Sequence, residues 1–213
     1  MGIQVSVSGI VPADLQVSVL DRLSNYTHSA SQFHAREVVF DRGPLESNSE
    51  DSNLLRFRHV DQINKAQGND NKSTSWSLVS LGRPERERIS PDFLIRPIFS
   101  CPILDGDPME FASALGYWRK FEFYKRGVAF TRGVVVVELF QLFETETTPV
   151  GWPEVTLITI TATVSGSRAT GMAPGQVTAV VQQQESRSEG CNRVREMQAV
   201  LKGLVDLGRV EPF

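Results

Sequence analysis

The run VVVVELFQLF at residues 134–143 constrains the fold more than any other part of this sequence. Glu138 and Gln141 are its two polar positions, so the strand that it predicts is apolar on both faces. Strands of this kind occur where both faces of a sheet are covered. We therefore predict that one face lies against a barrel core and that a helix or a partner protein covers the other.

Two glycines divide the residues that precede this run. Tyr117–Tyr124 and Val128–Thr131 are predicted strands, with turns at Gly127 and Gly133. Glycine suits such reversals because it adopts a positive φ without steric cost. Together with Val134–Phe143, these segments predict a β-meander at the centre of the sheet.

Six further segments show the alternation or the β-branched composition of strands. They are Gln4–Ser8, Glu37–Phe40, Leu54–Val60, Trp76–Leu81, Ile95–Cys101 and Val155–Val164. We predict a mostly β fold, an antiparallel β-barrel of about eight strands, because closure removes exposed strand edges. Because Pro97 has no N–H to donate to a neighbouring strand, we predict that its strand lies at an edge of the sheet. Residues 1–213 are predicted to form this single β-barrel domain.

Helical patterns lie near both ends of the chain. The first begins after Pro12 and carries one apolar stripe, and the last spans Asn192–Leu207. We expect both helices to pack outside the barrel. Three polar segments, near 44–53, 64–75 and 165–190, contain few large apolar residues and are predicted to be flexible loops.

Within the segment Val155–Val164, aliphatic residues and threonines alternate from Ile158 to Val164. This pattern predicts an antiparallel strand with one face on the core and one face towards solvent. The inward faces of the predicted strands look apolar or neutral. We accordingly expect a barrel whose lumen is filled by apolar and small side chains.

Composition excludes several classes of protein. The net charge is −3, so the chain lacks the basic surface of a direct nucleic-acid binder. No stretch approaches the roughly 18 apolar residues of a transmembrane helix, and we expect no membrane partner. Cys101 and Cys191 cannot form a disulfide framework or a four-cysteine zinc site, so free, buried thiols are predicted.

No catalytic motif is recognisable in the sequence. His28, His34 and His59 have no metal-ligand spacing, and no nucleophile elbow or phosphate-binding loop is present. Two Glu-x-Glu pairs, Glu85 with Glu87 and Glu144 with Glu146, resemble the metal-binding glutamates of tunnel triphosphatases. Their loop or strand-end positions favour solvated charges instead. We predict no catalytic residue, no metal and no cofactor.

A surface for protein partners is the remaining candidate site. Aromatic residues and arginine are enriched at the cores of interfaces. Candidates lie on the meander and on the apolar stripe of the last helix. The predicted partner-binding residues are Trp118, Phe121, Phe123, Tyr124, Val135, Val137, Leu139, Met197 and Leu201.

The segment FASALGYWRKFEFYKRGVAFTRGVVVVELFQLFE, residues 111–144, resembles the signature region of the Mediator subunit 18 family. The matching features are Leu115-Gly116-Tyr117, Phe121-Glu122-Phe123, Gly127 with Phe130, and an apolar strand after Gly133. A weaker likeness in the order of elements covers most of the chain, including the Trp76-Ser77-Leu78 strand.

This resemblance implies a subunit of the Mediator head module that takes part in transcriptional coregulation of RNA polymerase II in the nucleus. The implied fold is a barrel distantly like the tunnel triphosphatases but without their activity. The implied partners are Mediator subunit 20, as a heterodimer, and a C-terminal helix of Mediator subunit 8. Contact with the polymerase machinery would be indirect.

Two alternatives remain open on the residues themselves. One is a metal-dependent phosphohydrolase of the tunnel triphosphatase type, and the other is a carrier barrel for a small ligand. The chemistry of the lumen separates them. A phosphohydrolase requires clustered inward glutamate, lysine and arginine, a carrier requires an open apolar cavity, and a scaffold has a filled lumen.

Overall fold

The computed structural model describes residues 2–41, 54–63, 75–150, 155–165 and 176–210. These residues form a closed antiparallel barrel with the strand order β1-β5-β4-β3-β2-β6-β7-β8. The strands are β1 Gly2–Val11, β2 Ser29–Asp41, β3 Leu55–Ile63, β4 Ser75–Leu81, β5 Leu94–Ile103, β6 Trp118–Arg132, β7 Val135–Phe143 and β8 Thr156–Ser165. The predicted fold class is confirmed.

Three α-helices accompany the barrel in the described part of the chain. They are α1 Gln16–Tyr26, α2 Pro108–Ala114 and α3 Gln176–Val200, and a short 3-10 turn at Ala13–Leu15 precedes α1. The start of α2 follows the sequence signals closely. Asp107 accepts a hydrogen bond from the Met109 N–H through Oδ1 at 2.7 Å, and Pro108 occupies the first helical position.

The predicted turn at Gly127 is wrong. Residues 118–132 form the single long strand β6, and Gly127 pairs with Phe140 of β7 in its middle. A Cβ at Gly127 would lie 1.8 Å from the Leu139 carbonyl oxygen. The glycine therefore serves close approach of two backbones. Gly133, with a φ of +58°, is a genuine reversal between β6 and β7.

Two further predictions about strands are corrected. The strand predicted at Glu37–Phe40 extends over Ser29–Asp41, because it pairs along its length with β3 and β6. The strand that contains Pro97 is not an edge. It pairs with β1 on one side and β4 on the other, and Pro97 lies opposite Ile3.

The C-terminal helix begins at Gln176, well before the predicted start at Asn192, and it ends at Val200. The part of the predicted loop near 165–190 that follows Gln176 is thus helical. A weakly patterned sequence hid this helix, because its polar residues do not form a periodic stripe. Residues 42–53, 64–74 and 166–175, where the rest of the predicted loops fall, lie outside the described residues.

The main hydrophobic core lies outside the barrel wall. Val5 and Val7 of β1 and Ile158 and Ile160 of β8 are fully buried against α1 and α3. The helices contribute Val19, Leu23, Val194 and Met197 to the same cluster, and Leu201 joins it directly after the end of α3. Both terminal helices thus pack outside the barrel, as predicted, and they exclude water from its outer face.

Two smaller clusters complete the packing. The helix α2 covers the outer face of β2 and β3, where Ala112 packs with Val38, Phe40 and Phe57. The rings of Phe40 and Phe57 meet edge to face at 5.6 Å between centroids. The third cluster contains Phe33, Ala35 and Phe140. These residues lie on the same strand faces as the lumen residues Glu37 and Glu138, so they fill part of the barrel interior with apolar side chains.

Candidate functional site

A cavity of about 410 Å³ lies inside the barrel, and residues of all eight strands line it. Its charged lining residues are Glu37, Arg56, Arg58, Arg96, Lys125 and Glu138. Its hydroxyl-bearing residues are Ser6, Ser77, Ser100, Thr159, Thr161 and Thr163. We call this cavity the lumen site.

The prediction of an apolar or neutral lumen is therefore wrong. The threonines of β8 point into the lumen, whereas Ile158, Ile160 and Ala162 face the helices and are fully buried. The alternating pattern was recognised correctly, but its polar face was assigned to bulk solvent. Alternation distinguishes two faces of a strand and does not reveal which one a helix covers.

Glu37 of β2 is the centre of the lumen charges. Its carboxylate lies 2.9 Å from Lys125 Nζ, 3.7 Å from Arg58 Nε and 3.8 Å from Arg56 Nη1. Burial by itself disfavours the charged form of this carboxylate, but the three cations outweigh burial and lower the Glu37 pKa to about 2. Glu37 is thus ionised at any physiological pH.

A second ion pair crosses the lumen. Arg58 Nη2 on β3 donates to Glu138 Oε1 on β7 at 2.5 Å, although β2 and β6 separate these two strands in the barrel. Burial opposes the charge on Arg58, but Glu138 and Glu37 raise its pKa above the ordinary arginine value. On the opposite side, Arg96 Nε donates to Gln4 Oε1 at 2.8 Å.

The glutamates predicted as weak metal candidates do not converge. Glu85 forms an ion pair with Arg187 at 2.6 Å, and Glu144 and Glu146 are exposed beyond the end of β7. Among the described residues, no group of three or more histidine, cysteine or acidic side chains could hold a metal ion. The described glutamates of the two pairs therefore do not form a metal site with each other.

The histidines and cysteines have structural surroundings. His34 stacks on Tyr124, and burial, followed by the charge of Arg126, lowers the His34 pKa. His59 packs against Trp76 at 4.9 Å between ring centroids. Both cysteines are free, as predicted, but the prediction that they are buried is wrong, since Cys101 is exposed and Cys191 is half-buried. Burial raises the pKa of the Cys191 thiol, which makes it a poor nucleophile.

The structure divides the predicted partner-binding residues into two groups. Five of them lie in the main core, where the chain's own helix meets β7: Val135, Val137, Leu139, Met197 and Leu201. The cover that the sequence required for the outer face of β7 is thus internal, since Met197 of α3 and Leu201, directly after α3, belong to the same core cluster as β7. Phe123 and Tyr124 are each 8% exposed. Trp118 and Phe121 remain accessible.

Further exposed apolar side chains lie close in sequence to the two accessible residues. Six of the twelve exposed large apolar side chains of the described residues fall between the second half of β5 and the first half of β6. They are Phe99, Leu104, Phe111, Leu115, Trp118 and Phe121. We call these six residues the α2 surface. Sequence reasoning missed the first four, because exposure of single apolar residues next to a short helix has no periodic signal.

None of the described helices is sufficiently long and apolar to cross a bilayer. A comparison with curated proteins finds no match.

Solved structures share the fold. A chain of the Schizosaccharomyces pombe Mediator head module is 18% identical, with 98% of each chain covered and a TM-score of 0.67. The PH1819 protein of Pyrococcus horikoshii is 14% identical over 98% of this chain and 94% of that one, with a TM-score of 0.56. The Mimivirus capping enzyme triphosphatase is 10% identical over 91% and 89%, with a TM-score of 0.42. Identities this low show the fold alone, and only the first two structures, with TM-scores above 0.5, show it.

The family comparison is more specific than the fold. The family model described as "Med18 protein" matches residues 3–210, which includes the segment 111–144 that carried the resemblance in the sequence. The match covers β1 and α3 as well as the central strands, so it does not depend on one motif. The chain therefore belongs to the Med18 family, the family of subunit 18 of the Mediator complex.

Proposed function

We propose that this chain is a non-catalytic interaction subunit of the Mediator head module that pairs with Mediator subunit 20 and binds a C-terminal helix of subunit 8. It then acts in the nucleus, where it contributes to regulation of RNA polymerase II indirectly through the assembled head. Membership of the Med18 family supports the general role. The α2 surface is the observation in the structure that supports direct contact with a protein partner.

The α2 surface has the composition of an interface. Trp118 is 74% exposed and Leu104 is 94% exposed, and aromatic side chains make up four of its six residues. Large aromatic residues dominate binding energy at protein interfaces. We take the concentration of exposed large apolar side chains between residues 99 and 121 as support for a partner contact in this part of the chain. We assign this surface to the contact with subunit 20.

The alternative of a metal-dependent triphosphate phosphohydrolase has weaker support. The lumen does contain inward glutamate, lysine and arginine, as that alternative requires. However, its two carboxylates, Glu37 and Glu138, are each in an ion pair with a cationic side chain. They do not form an acidic cluster that could hold a divalent cation. The carrier alternative needs an apolar cavity, and the lumen is charged.

Co-expression tests the proposed pairing. The chain is purified with subunit 20, with the C-terminal segment of subunit 8, and with both, and the mass of each complex is measured by light scattering. We expect a complex with one copy of each. A chain that stays monomeric with both partners would contradict the proposal.

A matched pair of double variants locates the contact. Leu115→Ser with Trp118→Ser removes two exposed apolar residues of the α2 surface and is expected to weaken binding of subunit 20 by at least about tenfold. Ile10→Ser with Val17→Ser removes two similarly exposed residues near α1, and its affinity should match the wild type. Equal affinities for both variants would move the contact away from the α2 surface.

A further inference from the structure

A cleft of about 320 Å³ lies between the connection from β4 to β5 and the helix α3. The connection lines it with residues 89–93, and α3 lines it with residues between 187 and 195. We call it the α3 cleft. It shares no lining residue with the lumen site or with the α2 surface. Its volume is within the range of ligand-binding clefts.

Hydrogen bonds fix the two walls of the α3 cleft relative to each other. Arg187 Nη2 on α3 donates to Glu85 Oε2 of the connection at 2.6 Å, and the Glu85 N–H donates to the Ile95 carbonyl oxygen at 2.7 Å. Arg209 Nε donates to the Phe93 carbonyl oxygen at 3.2 Å. The cleft is therefore formed before any ligand arrives, which lowers the entropic cost of binding.

Arg195 supplies a cation without a counter-charge. Its Cζ lies 5.2 Å from the centroid of the Phe93 ring, and its Nη1 donates to Asn192 Oδ1 at 3.2 Å. These are its contacts with the described residues, and no carboxylate is among them. A guanidinium has five N–H donors and binds a carboxylate through two of them. Arg187 differs, because Glu85 already engages it.

Ser90 supplies a hydroxyl without a hydrogen-bond partner. This residue lines the cleft and is 5% exposed, and its Oγ is buried and unpaired among the residues that the structure describes. Buried polar groups are normally paired, so an unpaired one needs an explanation such as a bound group. Ser90 and Arg195 belong to the two walls of the cleft, so a carboxylate between them would accept from both sides.

The remaining lining favours a carboxylate next to an apolar group. Phe93 and Ile95 are 5% and 3% exposed, and Ile89 is 58% exposed. An apolar side chain of a ligand would cover Ile89 and exclude water there. Asp92 also lines the cleft and repels negative charge. A single carboxylate therefore matches the lining better than a phosphate, which carries more negative charge.

We propose that the α3 cleft binds an extended peptide segment of a partner protein through a glutamate or aspartate side chain with an apolar neighbour. Arg195 and Ser90 hold the carboxylate, and Ile89 and Phe93 contact the apolar side chain. This proposal is independent of the pairing with subunit 20, which we assign to the α2 surface. The failure of either proposal leaves the other intact.

Two mixtures of blocked pentapeptides test the proposal on the immobilised full chain. Both have random residues at four positions, and the central residue is glutamate in one mixture and glutamine in the other. Mass spectrometry identifies the retained peptides. We expect at least about tenfold more retention of the glutamate mixture, with apolar residues enriched beside the glutamate. Acetyl-glutamate-methylamide, which lacks an apolar neighbour, should bind at least about tenfold more weakly than the best retained peptide.

A matched pair of variants locates the carboxylate. Arg195→Gln should lower the association constant of the best retained peptide at least about tenfold. Arg193→Gln makes the same change two residues earlier on α3, but Arg193 lines a different cleft. Its constant should stay within about twofold of the wild type. Asp92→Asn removes the repelling charge and should raise the constant about two- to threefold. Thermal melting verifies that the variants are folded.

Ser90→Ala separates a binding role from a structural one. Loss of an unpaired buried hydroxyl removes no hydrogen bond of the free chain, so the Tm should not fall, whereas the peptide should bind about fivefold more weakly. Equal retention of the two mixtures, equal losses in Arg195→Gln and Arg193→Gln, or weaker binding by Asp92→Asn would each overturn the proposal. So would a Ser90→Ala variant that melts lower and binds the peptide unchanged.

Discussion

The two faces of the barrel wall are stabilised by different physics. On β8, Ile160 is fully buried under α1 and α3, while the next residue, Thr161, lines a charged lumen. The outer face excludes water with helices and gains hydrophobic free energy, about 1.5–3 kcal/mol for each fully buried aliphatic side chain. The inner face is held by ion pairs and hydroxyls. The main hydrophobic core of this protein therefore lies outside the barrel wall and not in the lumen.

Truncation of a side chain also destabilises the two faces in different ways. A truncation on the outer face leaves a cavity in a close-packed core, and its cost grows with the volume lost. A truncation on the inner face leaves a charge without its partner, which is severe where the charge is buried and minor where water reaches it. The following four variants separate these cases, in three comparisons ordered from the largest expected effect to the smallest.

Ile160→Ala should lower the free energy of unfolding by about 3–4 kcal/mol, because Ile160 is fully buried in the outer core. Thr161→Ala on the same strand should cost under about 1 kcal/mol, since its side chain borders the lumen. Urea denaturation of both variants measures the difference. Equal losses would mean that the inner face is packed as tightly as the outer one.

Glu37→Gln should lower the free energy of unfolding at pH 7 by about 3 kcal/mol, because three cations lose their shared carboxylate. The Glu37 pKa is about 2 in the folded chain against an ordinary value of 4.5. The carboxylate thus contributes fully above pH 4.5, and its contribution is lost as the pH falls through about 2.

Urea denaturation at several values of pH checks this dependence. The difference between the wild type and Glu37→Gln should be constant from pH 7 to about pH 5 and should shrink as the pH falls towards 2. A difference that grows on acidification would have the wrong sign for a depressed pKa and would contradict the assigned role of the three cations.

Glu122→Gln makes the same substitution as Glu37→Gln, but in an ion pair on the outer face of the barrel. Glu122 accepts from Arg36 Nη2 at 2.8 Å and lies 2.6 Å from Arg119 Nη2, but Arg36 is 37% exposed. Ion pairs that water reaches contribute little, so the loss should stay under about 1 kcal/mol and shrink with added salt. A loss as large as that of Glu37→Gln would show that the outer pair is equally desolvated.

Much of the architecture was predictable from local sequence. The strand periods located six of the eight strands within a few residues. Segment 111–144 pointed to the right family. The failures have identifiable causes. Gly127 was predicted as a turn because the sequence does not distinguish two uses of glycine. One glycine allows two backbones to approach closely, as Gly127 does, and another allows a positive φ at a turn.

The candidate sites were less predictable than the fold. Trp118 and Phe121 were chosen for their chemistry and are indeed exposed, but Met197 and Leu201 were chosen in the same way and are buried in the core. A helical stripe that covers the chain's own barrel has the same pattern as one that covers a partner. The lumen charges, on strands distant in sequence, converge only through barrel closure.

The sequence by itself determined which side chains share a face of each strand, where most elements begin and end, and to which family the chain belongs. Only the tertiary structure decided which face points inwards. The physical reason is that alternation is symmetric, so it is unchanged when both faces of a sheet are exchanged. The symmetry is broken by α1 and α3, which pack on the apolar face and leave Glu37, Arg58 and the β8 threonines to line the lumen.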